Sequence, residues 1–108
     1  IRSITYAQDK VGIVTDNVEG GDPYRLRIYD REGSPVFEKT FNYQYTGFDI
    51  DGDLVLLYND SSCKVYNMTG TEKYNGTFDF TVSKVSAGRF PGTLLVMGPQ
   101  KMTEIKLQ

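Results

Sequence analysis

Three carboxylates at alternate positions, Asp49-Ile50-Asp51-Gly52-Asp53, with Asp60 eleven residues beyond the first, have the spacing at which a loop offers oxygens to a calcium ion. Such a loop needs glycine at its sixth position for a sharp turn, and there this chain has Leu54. The run from Leu54 to Tyr58 is apolar throughout, as a strand covered on both faces would be, and it cannot wrap an ion. The corresponding turn further on, Arg89-Phe90-Pro91-Gly92-Thr93, contains no acid. These residues predict an Asp-Gly hairpin turn at Asp51-Gly52 and no bound metal.

Material for catalysis is sparse. There is no histidine, the commonest general base, and the one cysteine, Cys63, sits in an apolar phase where a thiol acts as a small buried hydrophobe. Glu19-Gly20-Gly21-Asp22 is glycine-bearing but acidic, and no Gly-Lys-Ser follows, so it reads as a long hairpin tip rather than a phosphate cradle. The expectation is a protein that is not an enzyme and carries no cofactor. Twelve Lys and Arg against fourteen Asp and Glu, with no basic cluster, argue against a nucleic-acid partner. No charged-then-apolar leader and no run of about 18 apolar residues is present, so this segment is not expected to contact a membrane.

The side chains best suited to binding are Asn42, Tyr43, Gln44 and Tyr45, following Phe41, and Phe80 in the stretch Phe78-Asp79-Phe80-Thr81. Tyrosine beside an amide can stack on a sugar or anchor a peptide. The competing assignment makes these rings wedges between adjacent structural units.

The elements that would position these residues follow from an internal repeat. Tyr29-Asp30-Arg31-Glu32-Gly33 through Thr40-Phe41 is echoed 37 residues later by Tyr66-Asn67-Met68-Thr69-Gly70 through Thr77-Phe78. Self-similarity at such a period signals an array of like units that bury their apolar faces against one another. Each unit reads as a four-stranded meander: a strand with small residues, an apolar strand, an alternating strand, a turn with glycine in the left-handed region, and a returning strand. Units are expected at residues 1–41, 42–78 and 79–108, the last without its fourth strand, giving eleven strands in one all-β unit spanning 1–108. Aligned without a gap at an offset of 40, the third unit places Leu94 to Met97 on Leu54 to Leu57 and Ile105 on Val65. Strand-forming Ile1 to Tyr6, with nothing ahead of it, reads as a segment of a longer chain.

The fold class expected is all-β, built of β-propeller-like four-stranded antiparallel meanders in about three blades, with a β-sandwich as the alternative. The Tyr-Asp/Asn-x-x-Gly turns at Tyr29 to Gly33 and Tyr66 to Gly70 make the chain resemble blades of the quinoprotein alcohol dehydrogenase-like and WD-type propeller superfamilies. That resemblance implies a propeller of six to eight blades, of which this chain supplies about three. The tryptophan docking motif and the Gly-His and Trp-Asp signatures are missing, so the quinone and the dehydrogenase activity do not carry over. The texture, rich in Tyr, Thr, Asn and Gly, is also similar to uncharacterised propellers of Gram-positive bacteria held outside the cell by one membrane helix. The resulting expectation is a non-catalytic binding or scaffold module for a protein, peptide or glycan ligand within a larger extracytoplasmic propeller at a bacterial cell surface. The alternative is a portion of a glycosidase-like or quinoprotein-like enzyme whose active residues lie elsewhere. A partial propeller leaves open faces, so self-association is expected, with a homodimer or the remaining blades of a parent chain completing the set.

Overall fold

The computed structural model describes residues 2–107; Ile1, expected in the lead-in to the first strand, and Gln108, the expected end of the third unit, lie outside them. The described residues form eleven strands in chain order: β1 (Ser3–Tyr6), β2 (Lys10–Asp16), β3 (Tyr24–Asp30), β4 (Pro35–Phe41), β5 (Gly47–Asp51), β6 (Leu54–Tyr58), β7 (Ser62–Asn67), β8 (Glu72–Thr77), β9 (Lys84–Ala87), β10 (Thr93–Met97) and β11 (Met102–Lys106). They make three separate antiparallel sheets, β1-β2-β3-β4, β5-β6-β7-β8 and β9-β10-β11. The protein is therefore all-β, with antiparallel meanders of four, four and three strands among the described residues.

The repeated turn has a local cause. Asp30 and Asn67 each use the side-chain Oδ1 to accept two backbone N–H groups, those of Glu32 and Ser34 in the first meander and of Thr69 and Thr71 in the second, at 2.9 to 3.0 Å. Gly33 and Gly70 take φ of 86° and 82°, the left-handed region that closes the turn and a residue with Cβ avoids. The register of the strand pair slips beside both turns, between Ile28 and Tyr29 and between Val65 and Tyr66. One short motif thus specifies turn, glycine and bulge twice over.

The sheets stack in sequence order through two apolar seams. Val14, Leu26 and Ile28 of the first meander meet Ile50, Val55, Leu57 and Tyr66 of the second. Leu54, Leu56, Cys63 and Val65, on the other face of the second meander, meet Val85, Leu94 and Val96 of the third. Successive side chains of a strand point to opposite faces, and so β6, buried from Leu54 to Leu57, feeds both seams alternately.

The third meander departs from the ungapped alignment. The backbone bond Thr46 N–H to Tyr58 O just ahead of β5 recurs as Arg2 N–H to Val14 O and as Ser83 N–H to Met97 O, which makes Met97 the counterpart of Tyr58. Val55 and Leu57 therefore correspond to Leu94 and Val96, and Val65 to Glu104 rather than Ile105. The cause is the hairpin: four residues separate Gly88 from Thr93, bonded N–H to O, where two separate the paired Asp51 and Leu54. Since a slip of one residue reverses the face of every side chain in a strand, the similar apolar runs of β6 and β10 face their seams in opposite phase.

Candidate functional site

The carboxylates with calcium-like spacing are parted by the fold. Asp49 accepts a hydrogen bond from Thr5 Oγ1 at 3.4 Å in the first meander and pairs with Lys84 Nζ at 3.5 Å in the third. Asp51 accepts the backbone N–H of Ala87 at 2.8 Å. Asp53 is exposed on the hairpin, and Asp60 contributes its backbone carbonyl to the N–H of Val82. Among the described residues no group of three acids, cysteines or histidines is gathered around a point where an ion could sit. Asp49 and Asp51 instead tie β5 to its neighbours on both sides.

Cys63 is fully buried in the second seam, and burial pushes its thiol up to about 12, far from a reactive thiolate at neutral pH. Tyr66, buried in the first seam, is also raised to about 12, first by burial and then by the negative charges of Glu72 and Asp22. Both groups are held neutral by the fold while the unfolded chain ionises them near their ordinary values of 9 and 10. Their stabilisation is complete below about pH 9 and is lost as pH climbs towards 12, because the unfolded chain sheds these protons first. Urea midpoints should therefore fall steadily from pH 9 to 11, and less steeply in Cys63→Val. A midpoint that stays level over this range contradicts the assignment.

The five candidate binding residues are divided between two places. Gln44 and Tyr45 line an open hollow of about 430 Å³ where the first two meanders meet, together with Arg2, Ser3, Asp16, Tyr24 and Thr46. Its walls are fastened: Tyr24 donates its hydroxyl to Gln44 Oε1 at 3.1 Å, and Tyr45 Oη lies 2.8 Å from Ser3 Oγ. The Arg2 guanidinium stacks 5.1 Å above the Tyr24 ring and bonds Asp16 at 3.0 Å, leaving both charged groups largely exposed. The Tyr45 ring itself packs into an aromatic group with Tyr24, Phe41 and Phe48, so it is wedge and wall at once.

The remaining three lie apart from the hollow's lining. Tyr43 is half-buried against the first seam with its hydroxyl 2.7 Å from Ser62 Oγ. Asn42 is exposed on the link between β4 and β5. Phe80 packs on the second seam beside Phe78, with Lys101 Nζ 5.1 Å above its ring. Sequence reasoning missed Arg2, Asp16 and Tyr24. The available signal was topological, because in a meander the ends of β2 and the start of β3 share a rim with the link from β4 to β5.

This geometry defines an all-β protein of stacked antiparallel meanders with a polar hollow at a seam. Residues 1–107 match a family of unknown function (DUF5711), and the chain belongs to that family. Among curated proteins none matches it.

Proposed function

We propose that this chain is a non-catalytic binding module of a larger propeller-type assembly, and that the hollow between its first two meanders takes a hydroxyl-rich ligand such as a glycan. The observation that carries the reading is the lining itself: Arg2, Asp16, Gln44 and Thr46 present donors and acceptors over Tyr24 and Tyr45, whose hydroxyls are already bonded and whose rings pack inward. Fixed walls lower the ordering cost of binding, and mixed donors and acceptors suit sugar hydroxyls better than an apolar peptide anchor. Placement outside a bacterial cell is part of the proposal and is supported by the resemblance to anchored propellers.

A panel of neutral oligosaccharides, screened on an array and followed by calorimetry, tests the reading. Binding weakened tenfold or more in both Asp16→Ala and Gln44→Ala, and unchanged in the distant Asp79→Ala, is the expected result. Binding that ignores Asp16 and Gln44, or no binding to any glycan at millimolar concentration, overturns it.

A further inference from the structure

The second seam departs from the first at the end where hairpins and turns meet. At the first seam apolar side chains close that end: Val36 of β4 and Met68 of the turn after β7 both pack against the buried cluster. Leu107 stands three residues beyond Glu104 as Met68 stands three beyond Val65, and it packs against the second cluster in the same way. The place of Val36, however, falls to Lys73, since Tyr66 pairs with Glu72 as Tyr29 pairs with Pro35. The facing hairpin is the longer one, and its extra length brings Arg89 and Phe90 beside the same opening.

These two departures leave an open hollow of about 490 Å³ whose walls include Asp53, Lys73, Arg89, Phe90 and Leu107. Lys73 is half-buried; its neighbour Glu72 pairs with Lys64 at 3.5 Å, and among the described residues neither Lys73 nor Asp53 makes an ion pair. Arg89 gives Nε and Nη2 to Glu104 Oε1 at 3.3 and 3.0 Å, and its Nη1 has no partner among the described residues. Its guanidinium lies 5.7 Å from the centre of the Phe90 ring, which is 62% exposed. A half-buried ammonium without a counter-ion, set beside an exposed ring, suits an anion carried on an apolar body.

We propose that this hollow, at the opposite end of the meanders from the one lined by Gln44 and Tyr45, binds the C-terminal carboxylate of a peptide that ends in an apolar residue. Lys73 and the free Nη1 of Arg89 take the carboxylate, the terminal side chain lies against Phe90 and Leu107, and Asp53 accepts a peptide N–H. The charges select this ligand. Arg89 is already balanced by Glu104, so one unpaired ammonium remains, and it balances a carboxylate rather than a phosphate dianion. The unpaired acceptor at Asp53 suits the N–H that a peptide terminus carries and a fatty acid lacks.

The test titrates the isotope-labelled 108-residue chain with N-acetyl-glycyl-phenylalanine, with the same dipeptide as its C-terminal amide, and with inorganic phosphate, followed by amide NMR shifts. The free acid should bind at millimolar concentration or below and move the signals of Lys73 and of residues 89–92, and the amide should bind at least tenfold more weakly. Lys73→Val restores the residue type of the first meander, so it should keep the fold and lose at least tenfold in affinity. Phe90→Ala should lose at least threefold, while Asp16→Ala, which alters the other hollow, should bind as the parent does. Equal binding of acid and amide, unaltered binding in a folded Lys73→Val, or no shift at millimolar free acid each overturns the proposal. Phosphate binding as tightly as the free acid overturns it as well, since the hollow would then hold any anion.

Discussion

Leu56→Ala and Leu57→Ala should each destabilise the protein by about 3 kcal/mol, within the range for emptying a large buried aliphatic side chain. In a chain of this size that lowers the midpoint of thermal unfolding by about 10 °C or more. The two leucines are consecutive and both are essentially inaccessible to water, yet they face different seams. Leu57 contacts the core shared with the first meander, and Leu56 that shared with the third. The two buried clusters share no residue, so the double variant should lose close to the sum, about 6 kcal/mol, which is most of the stability of an ordinary domain. Urea unfolding followed by circular dichroism reads all three values. A double variant that loses no more than either single variant would show that the seams form one continuous core.

Gly12→Leu is expected to cost about 3 kcal/mol for the opposite reason. Gly12 is buried in β2, in the place Leu56 holds in the next meander, and a Cβ there would lie 2.8 Å from the tip of the Phe48 ring and 3.1 Å from the Cδ1 atoms of Ile28 and Ile50. The first seam is therefore filled from the far side, with the Phe48 ring occupying room that a larger residue at position 12 would take. Overpacking of this kind typically costs 1 to 3 kcal/mol, and about the upper figure applies where a whole side chain must be housed. Phe48→Ala made in the same chain should recover at least about 1 kcal/mol of the loss, the coupling expected of side chains that compete for one space. Strictly additive losses would mean that Gly12 is small for a reason other than Phe48.

Read residue by residue, the strand order and the turns were legible because both are local. Asp30, Gly33, Asn67 and Gly70 act within five residues of chain, through side-chain to backbone bonds and left-handed glycines, and a repeated motif declares the same hairpin twice. The phase of the third meander was not legible by matching apolar runs. β6 and β10 are both apolar, but the longer hairpin at 89–92 shifts one against the other, and only the cross-strand bonds reveal which alternate residues enter the seam. The candidate binding residues were divided for a related reason. Tyr43 and Tyr45 are two apart on the same link, but the hydroxyl of Tyr43 ends beside Ser62 of β7 and that of Tyr45 beside Ser3 of β1.

The sequence by itself determined an all-β chain of repeated meanders, their turns, the burial of Cys63 and the alternate apolar positions that require partners on two sides. Those properties rest on local backbone preference and on hydrophobic periodicity, which a linear string expresses in full. The tertiary structure alone decided that Asp49 and Asp51 tie neighbouring sheets rather than share an ion, and that Arg2, Asp16 and Tyr24 join Gln44 and Tyr45 around one hollow. Such groupings depend on distances between residues tens of positions apart, and these are set by how the sheets stack.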